Sequence, residues 1–129
     1  MYDVIIIGAG PAGLTAAIYA RRANKKVLVL EAKSYGGQII NTPSIENYPA
    51  AAHISGFDFA TNLYNQATEQ GAEIKFEKAT NIIIENNKKI IETPDNKYEG
   101  KDFDLASKKM LQSANVKVRQ FKSEPIELN

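Results

Sequence analysis

Glycine at positions 8, 10 and 13, in the run Gly8-Ala9-Gly10-Pro11-Ala12-Gly13, follows the apolar stretch Val4-Ile5-Ile6-Ile7 with no residue between. The chemistry this spacing serves is capture of a pyrophosphate. The first glycine turns the chain sharply out of a strand, the second lets backbone approach the anion, and the third lets the next helix pack closely on the strand. Free N–H groups and the positive end of the helix dipole then converge on the ligand. Glu31 stands 18 residues beyond Gly13, after the apolar run Val27-Leu28-Val29-Leu30. A carboxylate there accepts hydrogen bonds from an adenosine ribose and favours two free hydroxyls over a 2′-phosphate. Alone, Glu31 reads first as a solvated residue at a strand end; the upstream turn decides for the ribose.

Such groups need a strand, a helix and a second strand to hold them. Residues 3–7 are a nearly unbroken apolar run, as in a parallel strand buried on both faces. Pro11 suits a first helical turn, Leu14, Ala17 and Ile18 give an apolar face, and Arg21 and Arg22 suit the negative end of the dipole before a stop at Asn24. With residues 27–30 this predicts a βαβ unit with a right-handed crossover. Residues 32–55, broken by Gly36, Gly37, Pro43 and Pro49, read as a loop long enough to be functional. Residues 56–70 predict a helix ending at Gly71, with Phe57, Ala60, Leu63, Tyr64 and Ala67 on one face. A short strand at 73–76 precedes a hairpin of 79–85 and 88–93 turning at Asn86-Asn87, with a third short strand at 97–99. Past Gly100, the spacing of Phe103, Ala106, Met110, Leu111 and Ala114 predicts a helix capped by Asp102 or Asp104, and 116–121 a strand.

The expected fold class is therefore α/β: a Rossmann-like βαβ domain in three layers, incomplete, with a small antiparallel hairpin. Residues 1–100 form the binding domain, and 101–129 a divergent helix-strand tail. A net charge of +1 with no strongly basic part argues against nucleic acid as a partner. No apolar run spans a bilayer and no cleavable signal opens the chain, so the cytoplasm is expected and a membrane is not. There is no cysteine, hence no disulfide, thiolate metal site or redox dithiol. His53, the one histidine, lies in a loop without neighbouring carboxylates, and Ser34 and Ser44 have no associated base. No metal site and no catalytic residue are expected.

Three segments resemble the amino-terminal FAD-binding part of thioredoxin reductases: residues 2–13, then Gly36-Gly37-Gln38, then Ile45-Glu46-Asn47-Tyr48-Pro49. Many FAD proteins share the first; the Gly-Gly-Gln loop followed by Glu-Asn-Tyr-Pro discriminates. The resemblance covers roughly the first hundred residues. It implies that Gly8, Ala9, Gly10, Pro11, Ala12 and Gly13 hold the FAD pyrophosphate, with Glu31 and its neighbour Ala32 at the adenosine ribose. Gly36, Gly37 and Gln38 would take the polar chain and flavin edge, Asn47 would face the isoalloxazine, and Ile82 would lie near the adenine. Read from the residues alone, Gln38 is a loop amide bonded to backbone and Asn47 an Asx-turn partner ahead of Pro49.

The family continues with an apolar strand ending in Ala-Thr-Gly, an NADPH domain with a second glycine-rich turn and a Cys-x-x-Cys pair, and a returning Gly-Asp segment. This sequence has none of them. The resemblance therefore implies a truncated flavoprotein oxidoreductase whose NADPH site is absent. Weak or lost FAD binding is expected, and thioredoxin, the family's redox partner, is not expected to serve this chain alone. A homodimer is compatible with it. A non-catalytic FAD- or ADP-binding module and an inert gene remnant stand as alternatives.

Overall fold

The computed structural model describes residues 1–50, 52–105 and 117–120. β1 (Tyr2–Ile7) leads through the glycine turn into α1 (Pro11–Arg22) and back to β2 (Val27–Leu30). The two strands are parallel, with Val4 opposite Val27 and Ile7 opposite Leu30. A 3-10 turn at Gly37–Asn41 interrupts the long loop before α2 (Gly56–Glu69), and β3 (Glu73–Lys75) then lies parallel to β2. β4 (Asn81–Glu85), β5 (Lys88–Glu92), β6 (Lys97–Leu105) and β7 (Lys117–Gln120) complete the sheet, whose order is β3-β2-β1-β6-β5-β4-β7.

Local chemistry accounts for the joints. Asn24 after α1 has φ 61° and Gly71 after α2 has φ 100°, left-handed positions that end helices. Asn86 and Asn87 have φ 47° and 66°, the double positive φ that a two-residue hairpin turn of this hand requires. Ser55 caps α2 by accepting from the Asp58 N–H at 3.0 Å.

Alternation along β1 and β2 sorts the apolar side chains between two faces. Ile6, Val27 and Val29 pack with Leu14, Ala17 and Ile18 of α1 and Ala67 of α2. Ile5, Leu28 and Leu30 face the other way, onto Ile82, Ile91 and Tyr98 of the antiparallel strands. Helices, parallel strands and antiparallel strands thus form the three layers expected. β6 links the last two, for its first half pairs with β5 and its second half, from Gly100, runs parallel to β1.

That second half corrects the sequence reading. Asp102 and Asp104 do not cap a helix; they are strand residues, opposite Val4 and Ile6 of β1. The spacing of Phe103 and Ala106 is weak, local information, whereas β1 sits mid-sheet with backbone donors and acceptors on both edges. β2 satisfies one edge and β6 the other. The third short strand is accordingly nine residues long. The predicted helical positions Ala106, Met110, Leu111 and Ala114 lie outside the described residues, and β7 falls within the strand expected at 116–121.

Candidate dinucleotide site

The glycine turn sits at the carboxyl end of β1, where the sheet order reverses between β2 on one side and β6 on the other. In open α/β sheets that reversal leaves a crevice beyond the strand ends. Each glycine has a separate structural reason. Gly8 has φ 109° and donates its N–H to Leu30 O at 2.8 Å, turning the chain while keeping it tied to β2. At Gly13 a Cβ would lie 1.9 Å from Gly8 O, so only glycine lets α1 seat against the turn. Gly10 differs: its φ is −77°, and a Cβ there would meet no heavy atom within 4 Å. It faces open space at the N-terminus of α1, with no side-chain cap and no acidic residue in the first turn. The leading N–H groups of a helix have no intrahelical partner, so this end is free to take an anion.

Ala9 joins the other site residues to the turn. Its N–H donates to Glu31 Oε1 at 2.8 Å, and its carbonyl accepts from the Gly36 N–H at 2.6 Å. Glu31 is buried, and its Oε2 accepts from the Lys33 N–H at 2.9 Å. One lone pair on each carboxylate oxygen is left for a ligand hydroxyl. Gly37 comes so near the turn that its Cβ would lie 3.6 Å from Gly10 Cα. Residues 8–13, Glu31, Gly36 and Gly37 therefore form one wall, with exposed Ala32 beside it.

The remaining sequence candidates are placed differently. Gln38 is exposed on the 3-10 turn, and Asn47 is exposed in the loop closed by the Ile45–Ile54 bridge. Ile82 is fully buried against the underside of the parallel strands, so its side chain belongs to the core.

Sequence reasoning missed the support beneath the Gly36-Gly37 loop. A Cβ on Gly56 would lie 1.6 Å from Ile39 O, and one on Gly36 would lie 2.6 Å from the Ala60 Cβ. α2 thus meets the loop through two small residues four apart, and that spacing of Gly56 and Ala60 was the available signal. Tyr35 adds a 3.0 Å hydroxyl contact to Thr61 and a ring contact to Tyr64 at 4.6 Å.

A βαβ unit whose glycine turn opens at the switch point of the sheet defines the class: a dinucleotide-binding α/β domain. The description pyridine nucleotide-disulphide oxidoreductase matches residues 2–114, and the chain belongs to that family. Thioredoxin reductase from Treponema pallidum (strain Nichols) is 55% identical over 82 residues, which are 63% of this chain and 27% of that protein. A 34.2 kDa protein in the rubredoxin operon of Clostridium pasteurianum is 46% identical over 106 residues, 81% of this chain and 34% of that one. The crystal structure of Lactococcus lactis thioredoxin reductase (FR conformation) superposes with a TM-score of 0.78 at 38% identity, covering 81% of this chain and 35% of that chain. This chain is thus similar to thioredoxin reductases and spans about a third of the length of the relatives it matches.

Proposed function

We propose that this chain binds FAD, mainly through its ADP half, as the flavin-binding part of a thioredoxin reductase-like oxidoreductase. The observation that carries the reading is the open face of Gly10 at the uncapped start of α1. Residues 8–13 hold the pyrophosphate, Glu31 and Ala32 the ribose, and Gly36, Gly37 and Gln38 the polar chain and flavin edge. Asn47 faces the isoalloxazine. Ile82, with its side chain in the core, meets the adenine through backbone only.

Bound FAD supplies the redox chemistry; the chain's own residues bind and orient it. A sequence of 129 residues without cysteine supplies no dithiol, and its glycine turn is already assigned to FAD. NADPH-driven reduction of thioredoxin therefore lies beyond this chain alone, and its setting is the cytoplasm. Gly10→Val tests the assignment, because the extended backbone at Gly10 accepts a β-branched residue and the new Cβ meets no heavy atom within 4 Å. The expected result is at least a tenfold weaker FAD and ADP affinity by fluorescence and calorimetric titration, with the melting transition retained. Unchanged affinity in a folded variant would overturn the assignment.

A further inference from the structure

We infer that Glu31 is a positioning residue that holds the glycine turn in its anion-binding shape through Ala9; the inference rests on the ADP-binding reading above. Glu31 is 7% exposed and Ala9 fully buried, so the Ala9 N–H has no water to turn to if the carboxylate is removed. That N–H points inward to Glu31 Oε1, while the Ala9 carbonyl is held by the Gly36 N–H. The peptide planes on both sides of Ala9 are thereby fixed. Because a trans peptide sets its N–H opposite its carbonyl, the Gly10 N–H is aimed away from Gly36. At Gly10 no Cβ stands in front of the backbone, and the first turn of α1 follows directly. A residue on the end of β2 thus fixes the direction of donors on the loop after β1. A group serving only as a ribose acceptor would need neither the Ala9 bond nor burial behind the turn.

The test uses a ligand without ribose. Glu31→Gln and Glu31→Ala remove the same charge, but only the amide keeps an acceptor for the Ala9 N–H. Inorganic pyrophosphate should therefore bind Glu31→Gln roughly tenfold more tightly than Glu31→Ala, about the effect of leaving one buried N–H without an acceptor. In the free proteins, hydrogen exchange at the Ala9 amide should be much faster in Glu31→Ala and near the wild-type rate in Glu31→Gln. If Glu31→Ala fails to fold, Glu31→Asp, which keeps the charge and shortens the reach, should show the faster Ala9 exchange instead. Equal pyrophosphate affinities in the two charge-matched variants, or an Ala9 exchange rate indifferent to residue 31, would overturn the positioning role. Wild-type protein that binds neither ADP nor pyrophosphate defeats the ADP reading, and Ala9 exchange then decides the brace by itself.

Discussion

At the scale of single residues, three glycines in one short turn carry different burdens. A Cβ on Gly10 would meet no heavy atom within 4 Å, so the fold does not demand glycine there as it does at Gly13, and its glycine character serves the ligand. Gly13 serves the fold, because a Cβ there would overlap Gly8 O at 1.9 Å. Alanine within a helix gains about 1 kcal/mol over glycine, but forcing a methyl into a packed contact costs about 3 kcal/mol, so the clash wins. Gly13→Ala is therefore expected to lower stability by about 2 kcal/mol, measured by chemical denaturation. A variant as stable as the wild type would show that α1 shifts freely against the turn.

At the scale of elements, the loop carrying Gly36 and Gly37 depends on how α2 begins. Gly56 donates its N–H to Thr42 O at 2.8 Å and its Cα packs on the Ile39 carbonyl, so the 3-10 turn rests on the first turn of this helix. Ser55 fixes that start by capping the Asp58 N–H, with Asp58 adding its charge to the positive end of the dipole. Ser55→Ala should cost about 1 kcal/mol of stability in a thermal melt, and Ser55→Asp should recover it. No loss in Ser55→Ala would mean that packing against the 3-10 turn fixes the helix start without the cap.

At the scale of the molecule, ionisable groups tie the sheet together at both ends of the pH range. Asp3 accepts from the Lys26 N–H and pairs with Lys101 at 3.2 Å, linking β1 to the start of β2 and to β6. The Lys26 bond first, and Lys101 second, hold its carboxyl below the ordinary 3.8. Glu77 is held below 4.5 by Asn96 first, then Tyr98 and Thr93, which joins the segment after β3 to the antiparallel layer. Depressed carboxyl values stabilise the fold above the unfolded values and lose that contribution as pH falls through the folded ones. Stability is thus expected to drop below about pH 4, and Asp3→Asn and Glu77→Gln should flatten that acid limb. Tyr2 and Tyr98 are pushed up to about 12, by burial first and then by bonds to Glu73 and Glu77. Their contribution is complete below pH 10 and is lost as pH rises toward about 12. Absorbance titration of the six tyrosines should show two late phenolates. Ionisation of all six near pH 10 would contradict the bonds to Glu73 and Glu77.

The sequence by itself determined the βαβ unit, the glycine turn, the helix stops at Asn24 and Gly71 and the hairpin at Asn86-Asn87. Each of these is governed by backbone conformations or burial patterns that neighbouring residues dictate. Only the tertiary structure decided that residues 102–105 extend β6 alongside β1, because the demand of a central strand for a second partner arises from residues nearly a hundred positions away. It also decided that Glu31 turns inward to Ala9, that Gly56 and Ala60 carry the Gly-Gly loop, and that the Ile82 side chain belongs to the core. A carboxylate at a strand end has the same local sequence whether it faces a ligand, solvent or a backbone N–H, and packing selects among them.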